Sequence, residues 1–452
     1  MLSKRATKEL KRMFGSRVLF SPEERICYSF DATNVEHIPD CVAFPRSAGE
    51  VDRAMTLAVD EKLPVIPRCA GSGFSGGSVA CKGGMVLSFE MMHKILKVDT
   101  DALTATVQPG VVTESLQKEV SKVGLFYPPD PASLSFSMIG GNIGTNAGGP
   151  RGVKYGTTRD YVKSLDVVTP AFGRVPTGEK TCGLDLTPLF VGAEGTLGVL
   201  TGAVIRLVKA REATLTVLAC FKNMRRAAEA TGAVIESGVI PCAAEFIDRP
   251  TVACVFGDDT SMKEIAGSNI LVMEVDGWKD EVEEQSNRIM SECRRFGAHL
   301  VRSARDQKER DEIWTIRRGI SPALARIAPN KINPDVCVPR SKLPEYLSFV
   351  SNLSRKHSVK IFNFGHAGDG NIHTNILFDR SAPDERKAAE AAHKELFEKT
   401  LELGGTISGE HGIGITRRKA LRLQIGPEEI RLRKRIKELF DPSNIMNPGK
   451  GL

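Results

Sequence analysis

Pro67-Arg68-Cys69-Ala70-Gly71-Ser72-Gly73-Phe74-Ser75-Gly76-Gly77 is the stretch whose reading decides the fold. Its glycines fit the spacing G-x-G-x-x-G. The apolar run Leu63–Pro67 precedes them, and Glu90 lies 19 residues after Gly71. On spacing alone this is a Rossmann turn, which aims a helix N-terminus at a pyrophosphate. The continuation contradicts that reading. Gly77-Ser78-Val79-Ala80-Cys81-Lys82-Gly83-Gly84 holds three glycines in eight residues, too many for a helix. A loop of this kind can still cradle an anion through exposed backbone N–H groups. A plain tight turn is the bland alternative.

A second glycine-rich stretch, Ile139-Gly140-Gly141-Asn142-Ile143-Gly144-Thr145-Asn146-Ala147-Gly148-Gly149, lies some 70 residues on, after the rigid Tyr127-Pro128-Pro129-Asp130-Pro131. Removing side-chain bulk lets backbone approach a flat or extended ligand closely. Two such segments favour a large bound cofactor over a mobile loop.

The rest of the composition narrows the class. With 452 residues, 41% hydrophobic and 26% charged, the chain is globular and long enough for two or three domains. Lys and Arg exceed Asp and Glu by seven, and the densest basic run, Arg431–Lys437, is interleaved with Leu and Ile at helical spacing. That is a solvated helix face, and no nucleic-acid partner is expected. No apolar run approaches the ~20 residues of a membrane span. The start lacks the apolar core of a signal peptide, and Glu9, Glu23 and Glu24 favour an ordinary helix over a transit peptide. None of the 10 cysteines forms a C-x-x-C, so reduced thiols and a cytoplasmic location are expected.

Strands alternate with helices over the first 210 residues: a helix at Ala48–Lys62, strands at Met85–Phe89 and Thr104–Val107, a helix at Val112–Val123, strands at Ser164–Thr169 and Gly198–Val208. The texture then changes. Leu215–Phe221, Met224–Ser237 and Ala244–Asp248 read as strand, helix, strand, and Ile270–Val275, Asp280–Phe296 and His299–Arg302 repeat it. Such split β-α-β units build a ferredoxin-like domain, so the chain as a whole is α+β.

Three of the 8 histidines fall in two short motifs. The first is Gly365-His366-Ala367-Gly368-Asp369-Gly370-Asn371-Ile372-His373. Asp-Gly is a two-residue hairpin signal. With Asp369-Gly370 as the turn, His366 opposes His373 on one face, close enough to share a metal. The second motif, Ser408-Gly409-Glu410-His411-Gly412-Ile413-Gly414, offers Glu410 to complete a two-His, one-carboxylate set. Zinc, manganese and iron(II) all accept such a set, so a flavin-free iron(II) oxygenase stays open on these motifs alone.

Taken together, the Pro67–Gly77 loop, the Pro129–Gly149 segment and Val191-Gly192-Ala193-Glu194-Gly195-Thr196-Leu197-Gly198 resemble the FAD-binding fold of the vanillyl-alcohol-oxidase type. The similarity spans nearly the whole chain. The branch resembled contains the D-subunit of glycolate oxidase, D-lactate dehydrogenase and D-2-hydroxyglutarate dehydrogenase. It implies a two-part FAD-binding domain at 1–209, a cap at 210–415 carrying substrate and metal, and a helical segment at 416–452 that returns to the FAD domain. FAD contacts are implied at Arg68, Cys69, Ala70, Gly71, Ser72, Gly73 and Ser75, at Pro129, Asp130 and Ser133, and at Gly140, Gly141, Asn142, Gly144, Thr145 and Asn146. Glu194 and Gly198 complete the set. Cys69 stands where the family usually has Gly, so this position must tolerate a negative φ. Phe74 stands where covalent relatives often have His, which implies non-covalent FAD.

The resemblance also assigns His366, His373 and Glu410 to a divalent metal, zinc or manganese, and His411 as base. Arg317 matches the arginine that binds the substrate carboxylate, a role its planar fork suits. Ser321 and Asn375 match further substrate contacts. The lysine of the 2-hydroxyglutarate branch is Asn333 here, and Lys331 is out of phase with it. D-Lactate or glycolate is therefore expected ahead of D-2-hydroxyglutarate. Electrons would pass to an iron–sulfur subunit, an electron-transferring flavoprotein or a quinone-linked complex, with any membrane association peripheral and through that partner.

Overall fold

A computed structural model describes residues 2–33, 35–178, 183–256 and 264–451. The chain divides into two compact units. One contains Met1–Gly148, Thr157–Ala210 and Glu410–Leu452, the other Gly149–Gly156 and Arg211–Gly409.

In the first unit, β1 (Val18–Leu19), β2 (Cys41–Ala43), β3 (Val65–Arg68) and β4 (Met85–Ser88) form a sheet of order β1-β2-β4-β3. Its last three strands are parallel. The helix Ala48–Glu61 starts at Ser47, whose side chain accepts from the Glu50 N–H, and buries Val51, Ala54, Met55 and Ala58 at helical spacing. These side chains share a core with Val65, Met85 and Leu87. The chain's end enters the same core. Val65 donates to the Ile445 carbonyl, Asn447 donates back to Val65, and Ile445 and Met446 are buried.

A second, antiparallel sheet has the order β5-β6-β10-β8-β9, from β5 (Ile95–Asp99), β6 (Thr104–Val107), β8 (Val162–Thr169), β9 (Gly173–Pro176) and β10 (Val199–Arg206). A short pair joins β7 (Leu125–Phe126) to β11 (Val208–Lys209). The second glycine-rich stretch contains a helix, Ile139–Thr145, where only close backbone approach was expected. Gly140 serves packing: a Cβ there would lie 2.6 Å from Pro109 Cβ. Asn142 anchors the helix by donating to Thr113 Oγ1 at 2.7 Å.

The second unit is built on one sheet. Its strands are β12 (Ala213–Phe221), β13 (Ala243–Ile247), β14 (Asn269–Gly277), β15 (Leu300–Ser303), β16 (Asn330–Ile332), β17 (Asp335–Cys337), β18 (Lys360–His366) and β19 (Asn371–Phe378). The order is β15-β12-β14-β13-β18-β19-β16, with β17 also on β19. The first four strands with helices Met224–Glu236 and Lys279–Arg295 reproduce the ferredoxin-like pattern. The β18–β19 hairpin extends that sheet and carries the first histidine motif.

Two expectations need correction. The 210–415 segment is not one piece. Residues 410–415 belong to the first unit, because Glu194 binds the backbone N–H groups of Ile413 and Gly414 and Ile415 donates to Ser75. Residues 149–156 belong to the second, where Lys154 and Tyr155 both bond Asp276. The hairpin register is also shifted by two. His366 pairs with Asn371, and His373 with Phe364. The connection is four residues long, because Gly370 donates to the His366 carbonyl and Asp369 Oδ1 accepts from the Asn371 N–H. Gly370 sits at φ +80°, and a Cβ there would lie 2.1 Å from the Val338 carbonyl oxygen.

Candidate functional site

A cleft opens in the first unit. The loop after β3 forms one wall, with no helix following it, and the helix Ile139–Thr145 forms another. Of the positions expected to hold FAD, all line this cleft except Arg68, Pro129, Asp130 and Asn146. Three of these have structural tasks. Arg68 folds back beneath the loop and donates to the Phe30 carbonyl at 2.8 Å and Ser78 Oγ at 3.2 Å. The Pro129 carbonyl accepts from Gln117 at 3.0 Å. Asn146 ends its helix at φ +53° and accepts from Thr157 Oγ1 and the Arg159 N–H.

The lining suits FAD. A Cβ on Gly73 or Gly144 would meet no atom within 4 Å, so these glycines hold open space in the cleft. Cys69 is not among the residues of positive φ. Its thiol is pushed up to about 12 by desolvation, which removes the thiolate a covalent bond to the flavin would need. Phe89 and Phe190 also line the cleft. They come from distant segments with no local motif, and sequence reading misses them.

Glu410 and His411 line the same cleft. The turn that carries them is fixed by Glu194, a half-buried carboxylate at φ +51° that accepts from Ile413 at 2.8 Å and Gly414 at 2.8 Å. Burial raises its carboxyl above the ordinary range, against those two backbone N–H groups. Gly412 is required there: at φ +84°, its Cβ would stand 2.0 Å from Glu194 Oε1. The His411 ring centre lies 5.0 Å from that of Phe74, and His411 Nε2 lies 3.9 Å from Glu410 Oε1.

His366, His373, Arg317, Ser321 and Asn375 belong to the second unit. The two-residue register shift keeps both histidines on one face, now as diagonal neighbours. Their ring centres are 5.2 Å apart, and both are buried. Asp335, fully buried on β17, is cross-strand from His373, with 3.6 Å between Oδ1 and Nδ1. His373 and Asp335 are a buried imidazole and a buried carboxylate of the kind that zinc or manganese accepts, and among the described residues His366 does not join them as a third converging ligand. Asn375 is fully buried and donates to the His373 carbonyl at 3.1 Å. Ser321 is exposed on the short helix Ile320–Ala325.

Arg317 lies on the helix Gln307–Arg318, capped by Asp306. Arg310, Trp314 and Arg317 fall at i, i+4 and i+7, one face of that helix. Arg310 pairs bidentately with Glu274 at 2.9 and 3.0 Å, and Trp314 Nε1 donates to the same carboxylate at 2.9 Å. Arg317 Nε donates to Glu245, and its guanidinium stacks 4.5 Å from the Phe364 ring centre. Glu245 also accepts from His366 Nδ1. Burial pushes the Glu245 carboxyl up, but His366 and Arg317 together hold it below the ordinary range. Sequence reading did not single out Glu245. Its signal was a lone charge in the apolar strand Ala243–Ile247, since buried charges need partners.

Comparison with known proteins identifies the class. Residues 210–451 match the family FAD linked oxidases, C-terminal domain, and residues 39–177 match FAD binding domain. The chain is 41% identical over 436 residues to the glycolate oxidase subunit GlcD of Bacillus subtilis, covering 94% of this chain and 92% of that one. It is 32% identical to a D-lactate dehydrogenase of Anaerostipes hadrus, covering 98% and 96%. The solved structure of p-cresol methylhydroxylase with substrate bound superposes at a TM-score of 0.83 and 17% identity, covering 99% and 96%. The protein belongs to the FAD-linked oxidase family and is an FAD-dependent oxidoreductase. No helix among the described residues is long and apolar enough to cross a membrane.

Proposed function

We propose that the protein oxidises a small D-2-hydroxy acid, D-lactate or glycolate, to the 2-oxo acid. The observation that carries this reading is the place of His411, an imidazole in the lining of the FAD cleft on a turn pinned by Glu194. Oxidising an alcohol carbon beside a flavin requires a group that takes the hydroxyl proton, and a positioned histidine suits that task. Arg317 binds the substrate carboxylate. Its Nε is committed to Glu245, which leaves the outer guanidinium edge for two parallel hydrogen bonds. When bound, FAD would supply the acceptor for the Cα hydrogen as hydride, and His366, His373 and Glu410 would hold a divalent metal that would supply a Lewis acid for the substrate hydroxyl. Zinc or manganese suits those ligands.

The relatives named glycolate oxidase subunit and D-lactate dehydrogenase support the substrate class. Asn333 in place of a lysine supports a monocarboxylate. The electron acceptor is a separate iron–sulfur subunit, an electron-transferring flavoprotein or a quinone-linked complex, a reading supported by the relative that is itself named a subunit. Turnover with an artificial acceptor tests the proposal. kcat/KM for D-lactate or glycolate should exceed that for D-2-hydroxyglutarate. A tenfold preference for 2-hydroxyglutarate, about 1.4 kcal/mol of transition-state binding, would contradict it.

A further inference from the structure

Glu245 joins two residues that the proposed function uses separately. It is fully buried on β13, directly cross-strand from His366 on β18. One carboxylate oxygen accepts from His366 Nδ1 and the other from Arg317 Nε. Both neighbours are donors, so the bridge needs two acceptors. A carboxylate supplies them, whereas an amide of the same shape supplies only one. The surrounding strand is apolar, and solvent cannot replace either contact.

We infer that Glu245 is a positioning residue that serves both halves of the site at once. It fixes the proton of His366 on Nδ1, leaving the Nε2 lone pair as the metal donor, and it anchors Arg317 by Nε with the outer guanidinium edge turned to the substrate carboxylate. The inference rests on the proposed metal and substrate roles of those two residues. A carboxylate behind a metal-binding histidine sets the ring's tautomer and orientation, and its loss costs about 10–100-fold in metal affinity or activity. Here the same carboxylate would also set substrate affinity, so one substitution should disturb metal binding or substrate binding, according to which partner keeps the single remaining acceptor.

Glu245→Gln is the test, because it preserves volume and cannot satisfy both partners. If the amide oxygen turns to Arg317, its NH2 faces His366 Nδ1, and the ring proton must move to Nε2. If the oxygen turns to His366, the NH2 faces the Arg317 Nε–H and displaces the arginine. The wild-type and variant flavoproteins should be stripped with chelator and titrated with Mn²⁺, and KM should be measured for D-lactate. Nitrogen-15 NMR of labelled histidine, assigned with His366→Gln, reports the tautomer. We expect an Nδ1–H imidazole in the wild type. In the variant we expect either a 10–100-fold weaker Mn²⁺ affinity with the proton on Nε2, or a KM raised at least tenfold with kcat less affected. Unchanged metal affinity and KM would overturn the inference. Should the variant fail to fold, the wild-type spectrum still decides: an Nε2–H tautomer of His366 overturns it. A wild type that binds no Mn²⁺ would defeat the proposed metal role, while the tautomer would still answer for Glu245.

Discussion

Replacing Gly73 by valine should separate cofactor binding from folding. Gly73 lines the cleft proposed to hold FAD, its φ is not in the left-handed region, and a Cβ there meets nothing within 4 Å. The folded protein can therefore accept the side chain without strain. Stability should stay within about ±0.5 kcal/mol, the range for substitutions that disturb no contact. The branched side chain fills space the cofactor needs. Overpacking costs about 1–3 kcal/mol, which corresponds to roughly 5–150-fold weaker FAD binding. Gly140→Ala is the contrasting control, because its Cβ would lie 2.6 Å from Pro109 Cβ and 3.0 Å from the Pro109 carbonyl oxygen. There the 1–3 kcal/mol should appear in global stability instead. FAD titration of the deflavinated proteins, with urea unfolding of the same samples, separates the two effects. Wild-type FAD affinity in Gly73→Val would refute the assignment of this loop to the cofactor.

Bound FAD should leave with the supernatant on acid precipitation, since Phe74 offers no nucleophile and the Cys69 thiol is pushed up to about 12; flavin retained on the pellet would contradict this. His411→Ala should keep its flavin and lose turnover by about 10²–10⁴. His373→Ala should lose metal with flavin retained, because every residue lining the FAD cleft lies in the first unit; elemental analysis and absorbance distinguish the two variants. Lys450, buried with its ammonium on the Gly77 carbonyl and Asn447 Oδ1, is lowered by burial from 10.5 to about 8. Between those values the unfolded chain binds the extra proton, so stability rises with pH, by roughly 3 kcal/mol at most. Lys450→Met should remove this rise between pH 8 and 10, and an identical pH profile of Tm in wild type and variant would contradict it.

How much was legible in the sequence depended on how local each signal is. The loop Pro67–Gly77 could be read because its glycines and the glycines after it act within one short segment. The histidine hairpin was legible as a pair but not in register. Asp-Gly marks a turn, whereas the four-residue connection is set by Gly370 against Val338, the residue just past β17. A shift of two residues preserves the face of a strand, so the histidines still meet. A shift of one would have separated them. The helix Ile139–Thr145 was hidden because glycine is a poor helix former. Tertiary packing against Pro109 and Thr113 overrides that preference. Glu245 and Glu194 were the hardest to read as structural anchors. Each acts through partners far along the chain, and a single carboxylate carries no spacing to recognise.

Anaerobic reduction of the bound flavin across a panel of D- and L-2-hydroxy acids tests the central claim most directly. It watches the cofactor itself and needs no electron acceptor. The account predicts bleaching of the visible flavin band by D-lactate or glycolate, and none by L-lactate. A flavin that stays oxidised with every D-2-hydroxy acid, or is bleached faster by the L-enantiomers, would contradict it.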